Sequence, residues 1–335
     1  MDINALIAQY PSMTDIHVTE GAAVMIRTQG SLKKLRETAD ASLFEDLAAR
    51  FLDEEKQKDW EIRGSCDAGA SLESCRLRIH MYHSLGKKAA AIRILPTLSS
   101  ISQDPDKDWI EKVAALEHGL VLVTGPSGSG KSTTMARILT LIAGHRPCHV
   151  VTLEDPVEYV ISSGKALVHQ REVGMDVPDF ASGIRDALRE DPDVIALGEM
   201  RDGETISAAL TAAETGHLVL GTLHTTRASD SIGRIIHAFP ADRQEEARAL
   251  LSANLRSVAA QRLYRNGKES WLLREILTNI PAVAHLIREG KEEQIPSYME
   301  MGLNQMRTLK QAVYGLRNIS ERERERDRMM KALEL

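Results

Sequence analysis

Short stretches of alternating apolar and polar residues fill the chain up to about Pro96 and predict a small α+β domain. The alternation is strand-like from Cys75 to Tyr82 and from Ala89 to Leu95, and a helix is predicted near Leu43 to Asp53. Hairpin turns are predicted at two places, Gln29-Gly30 and Leu85-Gly86-Lys87.

Beyond this region the pattern changes to one of strands alternating with helices. Serines and prolines first mark a linker over 98–106, and the following part, 107–319, predicts an α/β domain with a parallel sheet covered on both faces. After about Ala241 the pattern is mostly helical, and the charge-alternating end, 320–335, predicts a solvated helix. The predicted strands are near-continuous apolar runs: Leu120 to Thr124, Val150 to Leu153, Val194 to Leu197 and Leu218 to Thr222.

The composition is that of a soluble protein with two domains, since 335 residues exceed the usual size of one hydrophobic core. No apolar stretch approaches the ~20 residues of a membrane-spanning helix, and Met1 to Asn4 lack the basic start of a signal peptide, so a cytoplasmic location is expected. A net charge of -6 weakens the case for nucleic-acid binding without excluding a local basic channel. The cysteines form no C-x-x-C pair, which indicates neither a zinc ribbon nor a disulfide framework: Cys66, Cys75 and Cys148.

A phosphate-binding loop is the strongest chemical signal. Gly125 to Ser132 read G-x-x-x-x-G-K-[ST], after an apolar run and before a helix predicted from Thr133 to Ala143 and ended by Gly144. Lys131 should reach the β- and γ-phosphates, and the Ser132 hydroxyl should ligate Mg²⁺. A glycine-rich turn that matches by chance is disfavoured by the flanking elements. The motif predicts binding of ATP or GTP through Ser127, Gly128, Ser129, Gly130, Lys131, Ser132 and Thr133.

Three acidic segments follow predicted strands, where an α/β sheet opens its ligand crevice. The segment from Glu154 to Glu158 could orient an attacking water, although alone it would be interpreted as a solvated turn. Glu199 ends an apolar strand and is expected to hold Mg²⁺ directly or through water. The third segment contains His217 and His224, and either histidine alone is more often structural, but His224 at a strand tip could contact the γ-phosphate.

Four segments that contain these residues follow one another along the chain: Gly125 to Thr134, Thr152 to Tyr159, Ala187 to Asp202 and Ala213 to Thr225. Nearer the start, Thr14 to His17 with Arg27 and Gly30, and Ala91 to Pro96, complete the set. Together they resemble the motifs of the secretion and type IV pilus motor ATPases, and the chain is most similar to the PilT-like twitching-motility retraction ATPases.

The resemblance implies a PAS-like N-terminal domain over 1–97 and a RecA-like P-loop ATPase domain, assembled as a homohexameric ring that hydrolyses ATP with Mg²⁺. Glu158 would be the general base and Glu199 would support Mg²⁺, with Glu154, His217 and His224 in catalytic positions. Arg78 and Arg93 would reach nucleotide from the N-terminal domain, and surface salt bridges are an equal alternative for both. The implied partner is an inner-membrane pilus or secretion platform protein, contacted at the cytoplasmic face without direct nucleic-acid binding.

Some features leave the direction of the motor open. The longer N-terminal region and tetracysteine zinc module usual in pilus assembly relatives are not found in this sequence, which favours retraction. Against that, Ala284 stands where the retraction family usually has an arginine.

Two further functions are compatible with parts of the sequence. One is a RecA-like nucleic-acid translocase or DNA-transfer ATPase, for which four arginines are candidates, diluted by nearby acids: Arg227, Arg234, Arg243 and Arg248. The other is a ring component that binds ATP without useful hydrolysis, and the presence of both Glu158 and Glu199 speaks against it.

Overall fold

The protein divides into two units, seen in a computed structural model that describes residues 3–28, 31–72, 75–95, 98, 103–266, 269–316 and 323–333. The first unit contains residues 1–102 and 156–159, and the second contains 103–155 and 160–335. Some sequence predictions lie outside the described residues: the turn at Gln29-Gly30, residues 96, 97 and 99–102 around the expected linker, and residues 320–322 and 334–335 of the tail.

Among its described residues, the first unit contains a six-stranded antiparallel sheet and three helices. The strands are β1 (Met13–Thr19), β2 (Ala23–Thr28), β3 (Ser31–Thr38), β4 (Ser65–Ser71), β5 (Arg76–Ser84) and β6 (Lys87–Leu95). The helices are α1 (Ile3–Gln9), α2 (Ala41–Phe51) and α3 (Glu54–Arg63).

Alternation along these strands buries one face of the first sheet, whose order is β3-β2-β1-β6-β5-β4. Ile16, Ile79 and Ile92 are fully buried on that face together with Phe44 of α2. The predicted turn between β5 and β6 is confirmed, because Leu85 and Gly86 both have positive φ, at 52° and 74°. The periodicity of the sequence therefore predicted this unit's class and two of its six described strands, β5 and β6.

The second unit combines a seven-stranded sheet with helices in its described residues, which confirms the predicted α/β class. Its strands are β7 (Gly119–Thr124), β8 (His149–Glu154), β9 (Leu167–Glu172), β10 (Val194–Leu197), β11 (Leu218–Leu223), β12 (Leu255–Arg265) and β13 (Ser270–Thr278). Its helices are α4 (Lys107–Ala114), α5 (Lys131–His145), α6 (Phe180–Ala187), α7 (Gly203–Glu214), α8 (Ala228–Ile236), α9 (Gln244–Asn254), α10 (Pro281–Glu289), α11 (Ile295–Glu300), α12 (Leu309–Tyr314) and α13 (Glu323–Ala332).

The order of the second sheet, β13-β12-β7-β11-β10-β8-β9, places the predicted apolar strands at its centre. Strands β7, β10 and β11 are buried at every residue, which accounts for their near-continuous apolar sequences. In this order, each strand from β12 to β9 is parallel to its neighbour. Strand β13 lies at the edge and pairs antiparallel with β12. The carboxyl ends of β7, β11, β10 and β8 consequently meet at one edge of the sheet.

The hairpin of β12 and β13 corrects the prediction that the chain is mostly helical after Ala241. Polar residues interrupt the apolar pattern of both strands, and these residues are nevertheless buried: Ser257, Gln261 and Arg274. Their side chains find hydrogen-bond partners far away in the sequence, for example Trp109 Nε1, which donates to Ser257 Oγ at 3.0 Å. Local periodicity could not show such partners.

Helix α5 also ends later than predicted. Gly144 lies inside the helix, which continues to His145. Arg146 then adopts an extended backbone, with φ -108° and ψ 131°, before Pro147. Because a proline disfavours helical geometry in the residue before it, Pro147 rather than Gly144 ends the helix.

The C-terminal helix α13 is packed, so the prediction of a solvated helix is wrong for this part of the tail. Met329 is fully buried in a cluster with Leu273, Leu309 and Val313. On the same face, Glu325 accepts a hydrogen bond from the Tyr264 hydroxyl at 3.1 Å. Glu325 and Met329 lie four residues apart and therefore share one face of the helix. The alternating charges of this segment gave no sign that this face is buried.

None of the helices in the described ranges is long and apolar enough to cross a lipid bilayer. Cys66 and Cys75 are buried, and Cys148 is half-buried.

Candidate functional site

Three glycines with positive φ shape the loop that joins β7 to α5. Gly125 has a φ of 144°, and a Cβ at that position would lie 2.3 Å from the Gln261 carbonyl oxygen, so only glycine fits. Gly130 has a φ of 89° and begins α5 without a side-chain cap, and Gly128 is also at positive φ, 75°. Such a helix start is suited to binding an anion through backbone N–H groups.

Lys131 folds back onto this loop. Its Nζ donates to the carbonyl oxygens of Gly125 at 2.8 Å and Pro126 at 3.3 Å. An ammonium group in this position can exchange the two carbonyls for phosphate oxygens, which are stronger acceptors. Ser132 and Thr133 follow in the first turn of α5 and are half-buried, whereas Ser127 is exposed.

Ser129, in the same loop, is buried, and its Oγ has no hydrogen-bond partner among the described residues. Buried hydroxyl groups nearly always have a partner, so one without is expected where a ligand or water completes the site. The loop is therefore shaped for an anion and lined by a lysine and by hydroxyl groups.

A second group of side chains lies at the carboxyl ends of neighbouring strands, beside the loop. Glu199 follows β10 and His224 follows β11, and His224 Nε2 lies 3.0 Å from Glu199 Oε1. Arg201 donates from Nη2 to Glu199 Oε2 at 2.7 Å. Because a carboxylate only accepts hydrogen bonds, His224 carries its proton on Nε2. We name this group the strand-end cluster: Glu154, Glu199, Arg201 and His224.

Glu199 is anionic in this setting. Burial alone would raise the pKa of its carboxyl, but the hydrogen bond from Arg201 and the charges of His224 and Arg201 outweigh burial and hold the pKa below its ordinary value. The side chain is 18 % exposed. A partly accessible carboxylate, ionised at neutral pH, therefore stands beside the loop.

Glu154 ends β8, which pairs with β10, and its side chain is held by two neutral donors. Its Oε1 accepts hydrogen bonds from Thr152 Oγ1 at 2.7 Å and from Gln170 Nε2 at 2.8 Å. Its position at the same edge of the sheet as Glu199 agrees with the sequence prediction.

His217 is not brought to this edge. It precedes β11 whereas His224 follows it, and a strand rises about 3.3 Å per residue, so the two histidines are on the order of 20 Å apart. His217 Nδ1 lies 2.9 Å from the Ala212 carbonyl oxygen and 3.2 Å from Thr215 Oγ1. Within this chain the geometry separates His217 from the loop, so it does not support a catalytic position there.

Glu158, Arg78 and Arg93 belong to the first unit. Arg93 Nε donates to Asp15 Oδ1 at 2.9 Å, and Arg78 Nε lies 4.0 Å from Asp67 Oδ1. Both arginines thus form the surface ion pairs that the sequence left open. Their role at a nucleotide stays a prediction, as does the role of the half-buried Glu158 as general base.

A network of buried polar side chains lies under the loop, and no motif indicated it. Arg274 of β13 is fully buried and donates to Asp104, to Asp106 Oδ2 at 3.0 Å and to Thr134 Oγ1 at 2.7 Å. An arginine in the middle of an apolar strand could have indicated the network, because charges are almost never buried unpaired. We name it the buried network: Asp104, Asp106, Thr134, Gln261 and Arg274.

Acidic neighbours accompany two of the arginines considered for nucleic-acid binding. Arg243 Nε donates to Glu246 Oε2 at 3.0 Å, and Arg248 pairs with Glu292. Arg234 Nη2 donates to the carbonyl oxygen of Arg201 at 3.1 Å.

Residues 6–329 match the model of the type II/IV secretion system protein family. The chain is 41 % identical to the uncharacterized protein YggR of Escherichia coli K12, over 87 % of this chain and 90 % of that one. It is 38 % identical to the type IV pilus retraction ATPase PilT of Pseudomonas aeruginosa PAO1, over 94 % of each chain. A crystal structure of the pilus retraction motor PilT with bound ADP superimposes with a TM-score of 0.84, at 39 % identity, over 95 % of this chain and 93 % of that one.

Proposed function

The chain belongs to the type II/IV secretion system protein family, and we propose that within it the protein is a motor ATPase that powers type IV pilus retraction or a related pilus or secretion machine. The observation that carries this proposal is the anion-binding loop at 125–132 beside the ionised Glu199. Hydrolysis of the γ-phosphate of ATP is the chemistry that this combination suits.

The nucleotide binds at the loop. The pilus retraction motor PilT was crystallised with ADP, which supports a nucleotide here. Backbone N–H groups from Gly128 to Thr133 donate hydrogen bonds to the phosphate oxygens, and Lys131 neutralises their charge. ATP rather than GTP follows from the similarity to a retraction ATPase.

The catalytic step is the attack of water on the γ-phosphorus, which forms a new P–O bond while the bond to the bridging oxygen of ADP breaks, so that ADP and inorganic phosphate leave. Glu158 takes the proton of that water as general base, and Glu154 and Glu199 fix the position of water molecules near the phosphate. His224 donates to Glu199 and senses the γ-phosphate from the neighbouring strand. Phosphoryl transfer relies mostly on positioning and charge neutralisation, and these groups supply both.

The residues beside the loop fit a magnesium ion that arrives with the nucleotide. The Ser132 hydroxyl and the Glu199 carboxylate are oxygen donors of the type Mg²⁺ prefers. Both Glu199 oxygens already accept hydrogen bonds, so a water between Glu199 and the ion fits better than direct contact. No group of three or more His, Cys, Asp and Glu side chains in the described part of the chain could hold a metal ion, and Mg²⁺ bound chiefly by phosphates and water needs none. The bound ion supplies positive charge to the phosphates.

The working form is a homohexameric ring docked on a membrane platform protein at the cytoplasmic face of the inner membrane, with a PAS-like N-terminal domain. In that ring Arg78 and Arg93 reach a nucleotide. The register of β5 and β6 places them directly opposite each other. Exchange of their aspartate partners for phosphate oxygens suits the guanidinium group, which binds both anions in the same way.

Lys131→Ala tests the proposal. The variant should remain folded, bind ADP weakly and lose ATP turnover by at least about a hundredfold. A preorganised protein group that stabilises the charge of the transition state typically contributes a factor of this size to the rate. Steady-state phosphate release and ADP titration measure the two quantities.

Lys291→Ala provides the matched control, since Lys291 is half-exposed and its Nζ lies 3.9 Å from Glu289. Near-normal turnover in Lys131→Ala, or an equal loss in Lys291→Ala, would remove the assigned site.

A further inference from the structure

Gln261 is a fully buried polar residue on β12 that contacts the phosphate-binding loop at both ends. Its backbone oxygen packs against Gly125, where the loop begins. Its side-chain Nε2 donates to the carbonyl oxygen of Ser129 at 2.7 Å, where the loop meets α5. The residue preceding it, Ala260, is paired with Thr124, the last residue of β7.

The orientation of the Gln261 amide follows from its neighbours. Arg274 Nε lies 3.2 Å from Gln261 Oε1, and an arginine can only donate, so the oxygen of the amide must face Arg274. Thr134 Oγ1 accepts from Arg274 Nη2 and therefore gives its own proton to Gln261 Oε1 at 3.0 Å. The NH₂ group of Gln261 is left to face Ser129.

Fixing the Ser129 carbonyl also fixes the next backbone N–H. In a trans peptide the C=O and the N–H point to opposite sides. Since the Ser129 carbonyl points to Gln261, the N–H of Gly130 points away from Gln261. Loops of this type bind phosphate through such N–H groups, and a flipped peptide would present a carbonyl oxygen to the anion instead.

Arg274 is itself held by carboxylates at the start of the second unit. It donates to Asp104 and Asp106, whose side chains are 5 % and 7 % exposed. Arg307 pairs with Asp106, and Arg137 Nη1 lies 3.6 Å from Asp104. Three arginines therefore surround two aspartates. Arg274, which holds the Gln261 amide, is itself held by these ion pairs.

We propose that Gln261 is a positioning residue for phosphate binding: through the Ser129 carbonyl it directs the Gly130 N–H to the nucleotide, and Arg274 with Asp104 and Asp106 holds it in place. The inference rests on the proposed function in so far as a nucleotide binds at this loop.

Gln261→Glu is the test, because it keeps the shape and the acceptor oxygen while removing the donor to Ser129. The added charge makes three carboxylates beside three arginines, so the variant should fold with an unfolding midpoint no lower than that of the wild type. The Kd for ADP and the KM for ATP should each rise about tenfold, equivalent to about 1.4 kcal/mol, with kcat changed much less.

Asn279→Asp is the matched control. Asn279 Nδ2 donates to the carbonyl oxygens of Ser252 and Leu255, each at 2.9 Å, and neither lies in the loop. This variant should lose stability and bind ADP as the wild type does. The contrast separates loss of a buried donor in general from loss of the donor that holds the loop.

Wild-type ADP affinity in a folded Gln261→Glu would overturn the inference. Should that variant fail to fold, Gln261→Met provides the second test, with the same tenfold loss expected and unchanged affinity overturning the inference. Failure of the wild type to bind ADP, or binding by Lys131→Ala equal to that of the wild type, would instead overturn the proposed function.

Discussion

The strand-end cluster and the buried network flank the same loop with similar residue types but opposite exposure. In the strand-end cluster, the side chains of Arg201 and His224 are 68 % and 47 % exposed. In the buried network, Arg274 is fully buried and paired with two carboxylates. Charged groups that remain accessible can exchange their partners for a ligand, whereas buried paired charges keep one arrangement. Under the proposed function, this difference separates the residues proposed to act on the nucleotide from those proposed to hold the loop.

The same difference predicts where stability depends on charge. An exposed ion pair contributes little, because water and salt already screen it. A buried charge that loses its partner is strongly unfavourable. The two groups of side chains should therefore respond differently to the same kind of substitution.

Arg274→Met should have the largest effect on stability. It leaves Asp104 and Asp106 buried with only Arg137 and Arg307 as partners, and breaking a buried pair typically costs about 3–5 kcal/mol. Urea unfolding monitored by circular dichroism measures the loss.

Arg201→Met is the control for this prediction, because it removes an exposed arginine that is paired with Glu199. Its loss should be below about 1 kcal/mol. Adding Asp104→Asn to Arg274→Met should recover part of the stability. Equal losses in the two single variants would contradict the distinction between the groups.

A smaller effect is expected from pH. Burial alone would raise the pKa of the Asp104 carboxyl, but its hydrogen bond and charge interaction with Arg274 hold the pKa below the ordinary value of about 3.9. Below that pH the unfolded chain binds the proton more readily than the folded chain. The contribution of Asp104 is therefore complete above the ordinary value and is lost as pH falls toward the folded pKa.

The unfolding free energy of the wild type should thus fall more steeply than that of Asp104→Asn as pH is lowered from about 5 toward 3. Other carboxyls with a lowered pKa are present in both proteins, so the difference between the two curves isolates Asp104. Parallel curves over this range would show that Asp104 gains no stabilisation from Arg274.

The fold was predictable where burial is uniform. Strands β7, β10 and β11 are buried on both faces, and their apolar runs gave nearly correct bounds. Strands β12 and β13 were missed because Ser257, Gln261 and Arg274 place polar groups at buried positions. These residues are tolerated only because tertiary partners satisfy them, and such partners leave no local periodicity.

The candidate site was predictable to the extent that it depends on contiguous motifs. The loop at 125–132 and Glu199 could be predicted because each belongs to a short contiguous segment that directly follows an apolar strand. The separation of His217 from His224 could have been deduced, since a six-residue strand stands between them. The link from Gln261 to Ser129 could not, because it spans 132 positions in the chain and depends on which strands are neighbours.

ATP turnover of Glu199→Gln, measured together with ADP affinity, tests the central distinction most directly. Glu292→Gln is the matched control, because Glu292 is likewise 18 % exposed and paired with an arginine. We expect Glu199→Gln to bind ADP as the wild type does and to lose turnover by at least about a hundredfold, while Glu292→Gln keeps its turnover. Near-wild-type turnover in Glu199→Gln would contradict the account.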